Sequence, residues 1–333
     1  MSLSYDPATD LLGHTAPLGH TLELPLLGVP VRYRSNSPAV IAATARALRI
    51  WQELPRALVE AGPPLQVDLV VHPVGPGDPA PSQMERFLFR AHGDTLVAAM
   101  GGNLLTAQLA QGSALGFITP ELAANEPLLR HSVIECLGLL LVNYRDRTPI
   151  HAAGVVRNGR AVLLLGASKA GKSTLCYACV RAGFGLLSED TVCVSLAHGL
   201  RVWGHPGPIQ LLPDAPRLFP ELASLEPQLR PNGKYKLSVD IGALGAERLA
   251  THAERAIVCL IARAPGQASQ LEPLPAATAA ALIADPQEPG FTLLRARAPA
   301  VAAALTAAGG AYRLSVGSNP ASAAALLAHL TES

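Results

Sequence analysis

Large aromatic side chains are scarce in this chain: Phe, Trp and Tyr make up 4% of it, against 49% for all apolar residues. Much of the apolar content is Ala. That excludes a core built on large rings and points to close-packed, Ala-rich helices. Charge is also sparse, at 15% of residues with a formal net charge of +1, and no basic block stands out. A nucleic-acid partner or an anionic membrane surface would call for clustered Lys and Arg, so neither partner is expected. No apolar run approaches the roughly 18 residues that a spanning helix requires. The run Cys136–Val142 is far too short. The stretch from Met1 to Asp10 lacks a basic region followed by an apolar one, so no signal peptide is expected. The five cysteines stand at irregular spacings. An odd, unpatterned set is no disulfide framework and fits a reducing cytoplasm. Cys176 and Cys179 form a C-x-x-C inside an expected helix with no second pair nearby, so packing is their expected role.

The 333 residues suggest two domains. In the first half, Pro38–Ala61 carries apolar residues at helical spacing, with Ser37 as N-cap, Pro38 at the first helical position and Gly62 as the stop. Pro55 would kink or split that helix. Leu65–Val74 alternates like a strand, and Gly75–Ser82 reads as a Pro/Gly-rich loop. Strand-like runs follow at Arg86–Ala91, Thr95–Met100, Leu104–Ala110 and Leu115–Thr119, separated by turn chemistry. A helix is expected from about Pro120 to Tyr144. Residues 1–147 therefore read as an α+β domain with a meander, and nothing in it demands chemistry.

The second half, 148–333, reads differently. Apolar strands at Ala152–Val156 and Ala161–Leu165 flank Asn158-Gly159. That dipeptide is the strongest short hairpin signal, because both central residues of a type I′ turn need positive φ. Immediately after comes a loop of Gly166, Ala167, Ser168, Lys169, Ala170, Gly171, Lys172, Ser173 and Thr174. It fits G-x-x-x-x-G-K-[ST] in full and opens a helix expected to run to about Ala182. In such a loop the glycines let successive N–H groups face phosphate oxygens, and the helix N-terminus adds free donors. Lys172 would reach the β- and γ-phosphates of ATP, and Ser173 would offer its hydroxyl to Mg²⁺.

After the helix, Gly185–Ser188 reads as a strand ending at Glu189-Asp190. Carboxylates at the C-terminal end of a strand in an open α/β sheet lie where ligands bind. One would hold magnesium and the other would accept a proton from an attacking hydroxyl. His151, at a strand start, could lie near the phosphates. His205 sits in a Gly/Pro loop, a weaker candidate. Lys234 and Lys236 share one face of the strand Tyr235–Val239, either toward an anion or as a solvated edge that resists aggregation. Arg263, Arg295 and Arg297 are further anion-contact candidates. The remaining segments read as a strand at Ala256–Ala262, helices at Ala276–Ala284 and Ala298–Ala308, a strand at Tyr312–Val316 and a last helix at Ala321–Leu330.

The residues from 148 to 200 resemble the catalytic-domain family of HPr kinase/phosphorylase and its relatives. The shared pattern is a His at a strand start (His151), a short hairpin (Asn158-Gly159), the loop Gly166–Ser173, a helix, then a strand ending in two carboxylates (Glu189 and Asp190). Here the first carboxylate is Glu rather than Asp, and Lys169 stands where the family often has Gly. The resemblance implies an α/β P-loop domain of the HPr-kinase/PEP-carboxykinase-like type, with an antiparallel hairpin before the loop. It implies a kinase that moves the γ-phosphoryl group of ATP to a serine-type hydroxyl, as in stand-alone relatives that look like peptide serine kinases. Carried over, His151 and Glu189 become the proton-handling pair, while Ser173 and Asp190 hold Mg²⁺. The expected partner is a peptide or protein with an acceptor hydroxyl, and the Ala-rich surfaces leave room for packing against further copies. Two rival readings are an ATPase that transfers to water and a non-catalytic ATP-binding regulatory module.

Overall fold

A computed structural model describes residues 17–72, 86–230, 233–284 and 296–332. The chain divides into two compact units, Met1–Arg145 and Asp146–Ser333.

The first unit is built on a seven-stranded sheet in the order β1-β2-β3-β7-β6-β5-β4. Strands β1 (His20–Leu26) and β2 (Val29–Ser35) form an antiparallel hairpin, turned by Leu27 and Gly28 at positive φ. Helix α1 (Pro38–Ala47) then crosses to β3 (Leu65–Val71), which lies parallel to β2. Ser37 caps α1 by accepting the Val40 N–H, as its position before Pro38 leads one to expect. The expected long helix ends early, at Leu48. A short α2 (Arg49–Gln52) resumes after that break, and Pro55, which cannot continue a helical ladder, separates it from a single 3₁₀ turn at Arg56–Leu58. Strands β4 (Leu88–His92), β5 (Thr95–Met100), β6 (Asn103–Gln108) and β7 (Ser113–Ile118) make the antiparallel meander, with β7 parallel to β3. The loop expected at Gly75–Ser82 lies outside the described residues. The helix expected from Pro120 is subdivided into α3 (Pro120–Ala124), α4 (Glu126–Leu129), a π-turn stretch at Arg130–Glu135, and α5 (Cys136–Asp146). Thr119 caps the expected start, and Asn125 caps a second one at α4, so capping by Asn125 divides what apolar periodicity alone reads as one helix.

Among its described residues the second unit has three sheets. Strand β8 (Thr148–His151) leads into β9 (Ala153–Arg157) and β10 (Arg160–Leu165), which pair antiparallel through Asn158 and Gly159, both at positive φ. Helix α6 (Lys172–Arg181) follows, then β11 (Gly185–Ser188), β12 (Thr191–Ser195), β13 (Arg201–Gly204) and β14 (Ile209–Leu211). Next come β15 (Gln228–Leu229), β16 (Tyr235–Val239), β17 (His252–Ala253), β18 (Arg255–Arg263) and β19 (Gln270–Pro273). Helices α7 (Ala276–Ala284) and α8 (Ala298–Gly309), strand β20 (Ala311–Val316) and helix α9 (Pro320–Glu332) complete the chain. The main sheet runs β11-β9-β10-β18-β20-β19. A four-stranded sheet runs β17-β13-β12-β8, and a three-stranded one β14-β16-β15.

At β10 the main sheet is buried on both faces, which explains why β10 reads as an unbroken apolar run. Val162 and Leu164 point into a core shared with α6 and α9, through Leu175, Cys179, Ala323 and Leu327. Ala161, Leu163 and Leu165 point into the opposite core, shared with α7 and α8 through Ile283, Val301 and Leu305. Central β10 and β18 are parallel, with Leu165 opposite Leu260, so their C-terminal ends open on the same edge. The unit is thus a mixed α/β fold, and that edge carries the glycine-rich loop.

Candidate phosphate-binding site

The loop's shape follows from its glycines. Gly166 has φ 155°, Lys169 φ 67° and Gly171 φ 100°. A methyl group on Gly166 would stand 2.9 Å from the Ile261 carbonyl oxygen of neighbouring β18, so only glycine fits there. Gly171 is the left-handed N-cap of α6, and no side chain caps that helix. The first-turn N–H groups of a helix lack intrahelical acceptors, so an uncapped start adjoining a turn of this kind is suited to an anion. Lys172 folds back over the loop, donating from Nζ to the Gly166 carbonyl at 2.7 Å and the Ala167 carbonyl at 3.4 Å. Ala167, Ser168 and Lys169 are exposed, while Ala170, Gly171, Ser173 and Thr174 are half-buried.

Ser173, in the first turn of α6, donates its hydroxyl hydrogen to Glu189 Oε1 at 2.5 Å. Glu189 directly follows β11, whose pairing with β9 shifts register between Leu186 and Ser188. Such an irregularity re-aims the chain at a strand end. The Glu189 carboxyl titrates above its ordinary range. Burial is the largest cause and the neighbouring Asp190 charge adds to it. The Ser173 hydroxyl, the Lys236 charge and the Gln210 backbone N–H pull the other way. Lys236 comes from β16 and Gln210 from β14, so the small three-stranded sheet supplies the far wall of this carboxylate.

His151 ends β8, and its register partner on β12 is Thr191, next in sequence to Asp190. That register brings His151 Nδ1 to 3.6 Å from Asp190 Oδ1. The distance is an ion-pair contact if the ring is protonated, and is long for a hydrogen bond. The His151 side chain is largely covered and the Asp190 side chain mostly open to solvent.

No family model matches this chain. No curated protein matches it either. Among solved structures, the Hpr(Ser) kinase/phosphatase from Coxiella burnetii aligns at 19% identity, covering 33% of this chain with a TM-score of 0.25. The alignment spans 64% of that solved chain, under two thirds of its length.

The structure thus draws together the loop residues, Glu189, Asp190 and His151, but in pairs that cross the expected ones. Glu189 lies against Ser173 and Asp190 against His151, whereas the resemblance grouped His151 with Glu189 and Ser173 with Asp190. Lys236, left open between two roles in the sequence, stands close enough to act on Glu189. Gln210 carried no sequence signal, because it contributes its backbone rather than its side chain. Lys234 is exposed beside the turn before β16, and His205 lies in the connection between β13 and β14. Arg297 immediately precedes α8, and Arg295 falls outside the described residues. Cys176 and Cys179 are fully buried reduced thiols, and burial pushes both well above the usual thiol range. That environment disfavours the thiolate needed for redox or metal chemistry, in keeping with packing.

Among the described residues, no cluster of three or more His, Cys, Asp and Glu side chains could hold a metal ion. A dedicated metal cage is not required for magnesium, which keeps several waters and is held by one or two protein groups plus substrate phosphates. Ser173 and Glu189 form a donor set of that size and oxygen chemistry. No helix among the described residues is long and apolar enough to cross a membrane.

Proposed function

We propose that the second unit binds ATP at Gly166–Thr174 and transfers its terminal phosphoryl group to a hydroxyl, with a serine of a peptide or protein as acceptor. The observation that carries this reading is the Ser173–Glu189 hydrogen bond beside the Lys172-covered loop. In phosphate-loop enzymes, the loop hydroxyl and a strand-end carboxylate are the two protein groups that hold magnesium. Here both are already within one hydrogen bond of each other. When bound, magnesium supplies charge neutralisation at the phosphate oxygens.

The chain's own residues divide the remaining work. Loop N–H groups and the α6 N-terminus bind phosphate oxygens, and Lys172 exchanges its carbonyl partners for them. Asp190, open to the acceptor side, takes the hydroxyl proton, and His151 behind it stabilises the carboxylate and relays that proton. The acceptor oxygen bonds to the terminal phosphorus as the bond to the bridging oxygen breaks, and ADP leaves. Little covalent chemistry falls to the protein, so rate comes from positioning and charge.

The test is ATP labelled at the γ position, added with native-cell lysate to wild-type protein and to Lys172→Ala. A peptide or protein labelled only by wild type supports the reading and identifies the acceptor class. Labelled phosphate released without any acceptor would replace it with an ATPase. Saturable ATP binding with no labelled product of either kind would replace it with a binding module.

A further inference from the structure

The sheet order sets the phosphate loop between two unlike neighbours. Strand β10, which enters the loop, lies between β9 and β18. On the β9 side, β11 delivers the two carboxylates, Glu189 and Asp190. On the other side, β18 runs parallel to β10 and ends at Arg263. The end of β18 rises against the loop itself: a methyl group on Gly166 would meet the Ile261 carbonyl oxygen at 2.9 Å, and one on Gly171 would stand 3.8 Å from Arg263 Nε. Arg263 therefore sits beside the N-cap of α6, across the loop from the acidic pair.

Its place beside the loop, rather than its exposure, is what matters, although several arginines of the same unit are committed to carboxylates. Arg157 pairs with Glu332, Arg181 with Glu221, Arg201 with Glu254 and Arg248 with Glu247. Arg263 is exposed, and no hydrogen bond or ion pair with a described residue engages its guanidinium. A solvated arginine at a strand end is commonplace. One that leans over the left-handed cap of a glycine-rich loop, with its donors committed to no described residue, faces the place where phosphate oxygens would lie.

We propose that Arg263 is a phosphate-binding residue that closes the loop from the β18 side and donates to the terminal phosphates of ATP. This rests on the reading of the loop as an ATP site. The planar guanidinium presents paired donors that match two phosphate oxygens, which a point charge cannot do. Its place opposite the carboxylates also suits the charge flow of transfer. The acceptor approaches from the acidic side, while charge builds on the oxygen that leaves, where a fixed cation acts without reorganising. Arg263 would thus favour the triphosphate over the diphosphate.

The experiment is titration calorimetry with Mg·ATP and with Mg·ADP on wild type, Arg263→Ala, Arg263→Gln, Arg263→Lys and the control Lys172→Ala, with melting temperatures recorded for each. Arg263→Ala and Arg263→Gln should lose ~10-fold or more in affinity for Mg·ATP, the size of a charged hydrogen bond, and less for Mg·ADP. Arg263→Lys should recover part of the loss. Melting temperatures should stay at the wild-type value, since the side chain is exposed and engages no described residue. Mg·ATP affinity in Arg263→Ala and Arg263→Gln equal to wild type overturns the proposal while the ATP reading stands. Equal losses for ATP and ADP with a lowered melting temperature also overturn it, as a purely structural role. Wild type that takes up neither nucleotide removes the ATP reading, and this inference with it.

Discussion

Ser173 and Glu189 share one hydrogen bond across two elements, the first turn of α6 and the end of β11, at 2.5 Å. Burial holds the Glu189 carboxyl above its ordinary 4.5. The folded protein therefore binds that proton more tightly than the unfolded chain does. Its stability falls as pH rises from 4.5 through the raised folded value, and the ionised carboxylate is a cost at neutral pH. Glu189→Gln keeps an acceptor for the Ser173 hydroxyl and removes the charge. Without nucleotide, this variant should melt above wild type at neutral pH, and the gap should close below pH 4.5. Thermal denaturation across the pH range checks this. A variant that melts lower at neutral pH would show that the carboxylate is stabilising as it stands. The same substitution should weaken the magnesium dependence of ATP binding.

Lys172 bridges the loop's own carbonyls at Gly166 and Ala167, so removing it costs those two contacts as well as its charge toward phosphate. Lys172→Ala should lower the transfer rate by on the order of 10²-fold or more, the usual loss when one preorganised donor is removed from a developing charge. Labelled-phosphate transfer under saturating ATP measures it. Turnover at the wild-type rate would take Lys172 out of the site.

Asp190 and His151 meet only because β8 and β12 pair with His151 opposite Thr191. Asp190→Asn should leave Mg·ATP binding near wild type and reduce transfer by about 10²-fold to 10⁴-fold, the range for a positioned acid–base group. His151→Asn should produce a smaller loss in the same direction. If the two act as one unit, the double variant should lose little beyond Asp190→Asn alone. Additive losses would separate them, and an Asp190→Asn protein with normal transfer would hand the proton-accepting role to Glu189.

What the residues announced and what they concealed have different physical origins. Glycine-rich loops and Asn-Gly turns depend on backbone conformations that few residue types adopt, so Gly166, Gly171 and the Asn158-Gly159 hairpin were legible. Central strand β10, buried on both faces, was equally clear. The pairing within the site was not, because whether Ser173 meets Glu189 or Asp190 depends on a register shift in β11 and on the β8–β12 register. No local residue pattern encodes either. The short strands β13, β14, β15, β17 and β19 also gave no signal, since two to four residues cannot display an alternation. β1 and β2 were missed for another reason. Their turn, Leu27-Gly28, puts a Leu at φ 49°, which turn chemistry does not lead one to expect.

In the first unit, Tyr33 and Gly138 offer a test of packing independent of any chemistry. Tyr33 is fully buried, and its hydroxyl donates to the Ile134 carbonyl at 3.2 Å. Burial raises its phenol far above the usual range. Gly138, in α5, leaves room for that hydroxyl: a methyl group there would overlap the Tyr33 oxygen and press on Leu26. Gly138→Ala should therefore destabilise the unit by about 1–3 kcal/mol, the cost of overpacking, although Ala is the better helix former. Tyr33→Phe should cost about 1 kcal/mol through the lost hydrogen bond. Because the Ala methyl collides with the atom that Phe lacks, the double variant should cost less than the sum, with a coupling of roughly 0.5–3 kcal/mol. Urea denaturation of the four proteins measures the cycle. Strict additivity would mean that the helix shifts to accept the methyl group without contesting the hydroxyl's place.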